Sequence, residues 1–490
     1  MAYARFDQHN HRHRIAPGRH SSYTVAAMNA LDWIGSILYA AVRVPLRTAV
    51  GSYFRKITVR NPERIPPSGP VLVIANHPAT LSEVFLLGAW LGRRFHFLAA
   101  SFVFRPWIRG ILARLCGALP IYRRQDDPEL TYRNEDVFRA CHELFDRGGR
   151  IVIFPEGESR TDRGILPLKT GAARLSLGYD SRPGRDRKLA VIPVGLHFSD
   201  RTRFQSEVIL SVGPRIDLAR FQETGVHDPQ AAVRQLTAAM QQTLEALILN
   251  VPDDAIAGFV HDVERLYLED MREERPGEPD MQLLRRMADC IYYYRSIDPQ
   301  RLYSGWRRTA AYRRKLDALG LRDSALKERI PSHMARRCAV RMAIGGTAGF
   351  APAVAGIVVN YLPFLATGLM ARTLAPGAIQ VSAGRILAGA VFFPLTYGVA
   401  AAGLRIGAGW SWAAVGVFLA LCLPLGHFAL IYVRWLKVER ERLRLAILAS
   451  RHRRLVAKLR AERKGLIRTF DEARGEYLAA IRDVPALHPH

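Results

Sequence analysis

Between residues 54 and about 215, short apolar runs alternate with amphipathic stretches. The runs start near Val71, Gly117, Arg150 and Leu189. Each is strand-length, and the segments between them carry helical periodicity, as in Val137, Ala140, Cys141, Leu144 and Phe145 ahead of the Gly148-Gly149 stop. Such alternation predicts an α/β layered domain over 54–227. From 228 to 335 the pattern turns helical and highly charged, with 231–249 and 253–269 the clearest cases. A helical region supporting the first domain is expected there.

Three stretches then carry no charged residue: 343–371, 386–404 and 406–433. Each approaches or exceeds the roughly 20 apolar residues that cross a hydrocarbon layer, so 336–433 reads as a membrane unit. Three crossings would separate the first domain from the basic C-terminal tail, 434–490, whereas two would not. The expected topology is therefore a hairpin of 386–404 and 406–433, with 343–371, which carries Asn360 and Pro363, as an interfacial or re-entrant element. Prolines 352, 363, 394 and 424 predict kinks or re-entrant turns. Upstream, apolar residues recur at helical spacing over 25–53, broken by Arg43 and Arg47, which suits a helix lying in the bilayer interface. Residues 1–24, rich in His and Arg without an apolar core, read as a disordered basic tail.

Charge narrows the list of partners. The chain of 490 residues holds 70 Lys+Arg against 44 Asp+Glu, which favours anionic surfaces. Basic residues gather beside the apolar spans and in the tail, where 434–474 holds 14 cations against 5 acids. With no nucleic-acid-binding motif present, that distribution points to anionic lipid rather than nucleic acid and to a cytoplasmic tail. Five cysteines without paired spacing suggest neither a disulfide framework nor a zinc site.

The chemistry begins at His77, which follows the run at Val71 and precedes Glu83 by six positions. A histidine can accept a proton near neutral pH, and a neighbouring carboxylate can set its tautomer and stabilise the imidazolium. Further on, Arg123 and Arg124 close the second run, Glu156 and Gly157 close the third in a Phe-Pro-Glu-Gly turn, and Arg160 follows. The ligand-binding end of such a sheet is the C-terminal end of its strands, where His77, Arg123 and Glu156 would lie.

The ordered set of His-acid, Tyr122-Arg-Arg124, Phe154-Pro-Glu-Gly157 and Ile192-Pro-Val-Gly195 resembles the four sequence blocks of the glycerolipid acyltransferase superfamily, over roughly residues 50–250. The continuation Glu156-Gly-Glu-Ser-Arg-Thr-Asp162, then Leu166-Pro-Leu-Lys-Thr-Gly171, is similar to the fungal-type glycerol-3-phosphate/dihydroxyacetone-phosphate acyltransferases and their bacterial relatives. So, more loosely, are Asn360-Tyr-Leu-Pro363, Arg385-Ile-Leu-Ala-Gly389 and Phe392-Phe-Pro394. Two departures stand out. The acid is Glu83 after five intervening residues, where the family commonly has Asp after four, and Glu158-Ser159 replaces the usual Thr-Arg pair, delaying the cation to Arg160.

The resemblance implies a layered mixed sheet flanked by helices, and an O-acyltransferase moving a fatty acyl group to a hydroxyl of glycerol-3-phosphate or 1-acylglycerol-3-phosphate in phospholipid synthesis. In that reading His77 is the base, Glu83 orients it, Arg123, Arg124 and Arg160 hold the acceptor phosphate, and Glu156 and Gly157 contribute to acceptor binding. Lys169 adds positive charge near the same place. The donor is acyl-CoA or acyl carrier protein, with membrane lipid as the remaining partner; no metal or bound cofactor is implied. The protein is expected to be integral to a membrane, its catalytic domain on the cytoplasmic face. The alternatives are an acyltransferase for another lyso-lipid and a lipid-binding membrane scaffold without turnover. A transporter is disfavoured by the absence of charge within the apolar spans.

Overall fold

The computed structural model describes residues 39–79, 81–92, 94–105, 110–111, 113–114, 116–158, 164–182, 188–249, 254–278, 280–327, 334–374 and 381–483. The basic tail expected over 1–24, the first part of the interfacial helix and Arg160 lie outside the described residues. The chain divides into two compact units. One comprises Met1–Thr161, Ile165–Ile248 and Ala375–Ile386, and the other Asp162–Gly164, Leu249–Leu374 and Leu387–His490.

Among the described residues, the first unit is built on seven strands: β1 (Lys56–Arg60), β2 (Val71–Ala75), β3 (His96–Ala100), β4 (Ala118–Ile121), β5 (Arg150–Ile153), β6 (Ala190–Phe198) and β7 (Glu207–Val212). They form one mixed sheet in the order β1-β7-β6-β2-β5-β3-β4. Every pairing is parallel except β6 with β7. Central parallel strands are covered on both faces, so β2 reads as an unbroken apolar run, β5 as one after its first residue Arg150, and both are buried throughout. On one face Val71, Val73 and Ala75 pack with Leu86, Leu87 and Phe54; on the other, Leu72 and Ile74 pack with Leu144, Phe145 and Leu175. This is the period-two division of side chains that a strand imposes.

The boundary drawn at residue 227 differs from the structure. Helix Pro229–Glu245, read from its periodicity as part of the helical region, sets Ala232, Leu236, Met240 and Leu244 into the same core as Leu72 and Ile74. Its amphipathic pattern states that one face is buried but not against what. Asp228 caps it, accepting from the backbone N–H groups of Gln230 and Ala231. The described part of the N-terminal helix, 39–53, buries Val50 and Tyr53 in the sheet's core while Val42 and Val44 remain exposed.

In the second unit, helices Asp254–Glu274, Asp280–Ile297 and Pro299–Leu319 pack with the final helix Arg453–Asp483. Cations of the tail are partly spent inside this unit, since Arg463 pairs with Asp270 and Asp323, and Arg474 with Glu274.

Among the described residues, three helices are long and apolar enough to cross a membrane: Met334–Thr373, Val381–Ile406 and Trp412–Arg451. The re-entrant turn entertained for 343–371 is not formed. Met334–Leu374 is one continuous helix of 41 residues with Pro352 and Pro363 inside it. A proline removes one backbone donor, a loss that packing against a neighbouring helix can accommodate. Here that neighbour comes very near: a Cβ on Gly356 would stand 2.1 Å from the Leu425 carbonyl oxygen, the small-residue contact of apolar helix pairs.

Asn360 ties three helices together. Its Nδ2 donates to the carbonyls of Gly356 (2.8 Å) and Cys422 (3.2 Å), and its Oδ1 accepts from the Tyr397 hydroxyl (2.5 Å). Asn360→Leu strands the Tyr397 hydroxyl. Unfolding of the purified protein in detergent should then show a loss of about 1 kcal/mol; an unchanged midpoint would remove Asn360 from the packing argument.

Candidate active site

Strand β2 ends at Ala75, and the buried amide of the next residue, Asn76, clamps the neighbouring strand. Nδ2 donates to the Leu196 carbonyl (3.0 Å), and Oδ1 accepts from the Leu196 N–H (2.7 Å). Both polar ends of the amide are satisfied by one residue of β6, so the chain leaves the sheet at a defined point. His77 is the next residue. Its ring stacks on Phe154 with centroids 4.3 Å apart and planes 17° from parallel, and its Nδ1 lies 3.1 Å from Glu83 Oε1. Nε2 is thereby left as the nitrogen available to a reactant.

Glu83 stands in the first turn of helix Ser82–Trp90, where the helix dipole favours a carboxylate. It is fully buried, and its Oε1 also accepts from the Ala79 N–H at 2.5 Å. The longer acid and wider spacing therefore still bring carboxylate and imidazole together, because the backbone of the intervening loop holds the carboxylate from behind.

Glu156 follows β5, the strand beside β2. Both of its oxygens are occupied by backbone: Oε1 accepts from the His77 N–H (2.8 Å) and Oε2 from the Leu166 N–H (3.0 Å). Burial raises its carboxyl above the usual carboxylate range, an effect opposed by these two donors. The acceptor role that the resemblance implies for Glu156 finds a different geometry here: the carboxylate braces the loop carrying His77. Glu156→Gln would turn an amide N–H toward one of the two donors and leave it buried and unpaired, which costs about 1–3 kcal/mol. Thermal unfolding at lower temperature is the expected result, and unaltered melting together with unaltered turnover would refute the brace.

Arg123 lies two residues beyond β4. Asn134 fixes the approach, its Oδ1 accepting from the Tyr122 N–H (2.9 Å) and its Nδ2 donating to the Tyr122 carbonyl (2.7 Å). From there the guanidinium passes over the Phe102 ring, 5.6 Å from its centroid, pairs through Nε with Asp126 (2.5 Å) and donates through Nη1 to the Gly157 carbonyl. β3 separates β4 from β5 in the sheet, so the side chain spans the end of an intervening strand. Gly157 has φ +72°, a conformation that glycine adopts without strain, and a Cβ there would meet Lys169 Nζ at 2.8 Å. Arg123 and Lys169 thus converge on one glycine. Lys169 also donates to Gln125 Oε1 (3.2 Å) and lies 3.9 Å from Glu158.

Of the residues singled out from sequence, the structure brings together His77, Glu83, Glu156, Gly157 and Arg123. Arg124 is exposed and has no partner among the described residues. Sequence reading passed over Phe154 as a stacking surface and Asn76 and Asn134 as clamps. A polar amide directly after a buried strand was the available signal for Asn76.

Comparison with known proteins places a family on this geometry, since residues 56–197 match the family model described as Acyltransferase. The segment is an acyltransferase-family domain. The likeness to curated proteins is partial. The chain is 27% identical over 213 residues to glycerol-3-phosphate O-acyltransferase 2 of Saccharomyces cerevisiae, covering 43% of this chain and 28% of that protein. With glycerol-3-phosphate O-acyltransferase 1 of the same yeast it shares 27% over 168 residues, 34% of this chain and 22% of that one. It therefore spans less than a third of the length of either. With the putative 1-acyl-sn-glycerol-3-phosphate acyltransferase acl-1 of Caenorhabditis elegans it shares 23% over 241 residues, 44% of this chain and 86% of that protein. The acyltransferase domain holds all five of the gathered residues.

Proposed function

We propose that the protein transfers a fatty acyl group from a thioester donor, acyl-CoA or acyl carrier protein, to a hydroxyl of glycerol-3-phosphate or 1-acylglycerol-3-phosphate. The observation that carries this reading is the His77 imidazole held 3.1 Å from the buried Glu83 carboxylate beside Arg123 and Gly157. The same acceptors appear in the names of the relatives, which supports the substrate class.

In the reaction, Nε2 of His77 takes the acceptor hydroxyl's proton as the oxygen attacks the thioester carbonyl. A C–O bond forms, the C–S bond breaks, and the imidazolium returns the proton to the departing thiolate. Glu83 stabilises the imidazolium and holds the ring's orientation. No covalent acyl-enzyme is required. Arg123 and Lys169 supply the positive charge that holds the acceptor phosphate, Arg123 through a fork matched to phosphate oxygens. Glu156 keeps the His77 loop in register, and Arg124 adds to the positive charge that holds the phosphate; Arg160, which lies outside the described residues, is assigned the same role from sequence alone. The three apolar helices anchor the protein in a membrane with this domain on the cytoplasmic side, where donor and anionic lipid are both accessible.

Purified full-length protein, labelled palmitoyl-CoA and a panel of glycerol-3-phosphate, 1-acylglycerol-3-phosphate and other lyso-lipids test the reading. Labelled product from one of the first two acceptors is expected. Product only from another lyso-lipid would move the substrate assignment, and none from any acceptor or from an acyl carrier protein donor would leave a lipid-binding scaffold.

A further inference from the structure

The first turn of helix Val381–Ile406 belongs to the compact unit that contains the sheet. Three side chains on one face of that turn, spaced i, i+3 and i+4, enter the unit. Ser382 Oγ lies 2.6 Å from Ser82 Oγ, and both serines are buried, at 1% and 0% exposure. Arg385 Nη1 donates to the Thr202 carbonyl (3.2 Å), the same oxygen that accepts from the Tyr53 hydroxyl (3.2 Å). Ile386 joins the apolar core that contains Leu86, Leu87 and Phe54.

The position of Ser82 gives this contact its meaning. It is the residue before Glu83 and opens helix Ser82–Trp90, whose N-cap Leu81 makes no side-chain hydrogen bond. Glu83 Oε2 is buried without a hydrogen-bond partner among the described residues; the carboxylate contacts described are those of Oε1, so its position also depends on the placement of its own backbone. Whatever sets the start of that helix sets the distance between Glu83 and His77. From these contacts we infer that Ser382 is a positioning residue: by holding Ser82 it aligns the Glu83 carboxylate with His77, and a segment about 300 positions downstream completes the acyltransferase site. This rests on the reaction proposed above.

Ser382→Ala in the full-length protein leaves the Ser82 hydroxyl buried with one partner fewer and loosens the helix start. Turnover should fall roughly tenfold, within the about 10²-fold that a misplacement near 1 Å costs, while KM for the acceptor stays within about twofold. Because the effect passes through Glu83, the same substitution on a Glu83→Gln background should cost less than about twofold. An equal tenfold loss on both backgrounds, or no loss in the otherwise unaltered chain, would overturn the inference. Hydrogen–deuterium exchange read by mass spectrometry supplies an arm that does not depend on activity: peptides covering 77–90 should exchange faster in the Ser382→Ala protein, and equal exchange overturns the anchor. If the unaltered chain transfers no acyl group, the reading of the reaction fails, and the exchange measurement still decides the anchor.

Discussion

Replacing His77 with alanine is expected to lower acyl transfer about 10²- to 10⁴-fold, the usual cost of removing a general base. The variant should remain folded. The loop around residue 77 is held without the imidazole, through the His77 backbone N–H bonded to Glu156 and the side-chain amide of neighbouring Asn76 bonded to Leu196, and alanine preserves both contacts. What is lost is the ring on Phe154 and its contact with Glu83. Turnover measured with labelled palmitoyl-CoA, alongside a thermal unfolding curve, separates the two effects. Wild-type turnover in a folded variant would take His77 out of the chemistry.

Arg123→Ala should act on the acceptor. Charge-assisted hydrogen bonds contribute about 1.5–3 kcal/mol each, and every 1.4 kcal/mol is a factor of ten, so KM for a phosphorylated acceptor should rise about 10- to 100-fold. Arg123 also donates to the Gly157 carbonyl and pairs with Asp126, so some loss of turnover accompanies the weaker binding. Arg123→Lys keeps a charge but not the planar fork and should fall between the two. Initial rates against acceptor concentration decide the matter; an unchanged KM would send the phosphate elsewhere, with Lys169 as the next position to substitute.

Much of this geometry was readable in advance, and the parts that were not have a common origin. Unbroken apolar runs ending in polar turns mark buried parallel strands, and residues just past such runs gather at one edge of the sheet, so His77, Arg123 and Glu156 could be grouped without coordinates. The partnership of His77 with Glu83 is local in the chain and was equally legible. Glu156 was different. Its neighbour in sequence says that a carboxylate sits at a strand end, but only the adjacency of β2 and β5 turns that carboxylate toward the His77 N–H. The helix Pro229–Glu245 displays its apolar stripe plainly, yet its partner is the sheet rather than the helices that follow. Prolines 352 and 363 suggested a break in 343–371, and the helix continues through both.

By itself the sequence determined local facts about this protein: where four of the strands lie, which helical faces are apolar, which three segments are long enough for a bilayer, and which residues follow strand ends. These follow from periodicity and charge within a window of a few turns. Tertiary structure alone decided the order of the strands, the reach of Arg123 across β3 to Gly157, and the meeting of Ser82 with Ser382. Such contacts join residues far apart in the chain, and their identity depends on which surfaces bury each other, a property no short window of residues contains.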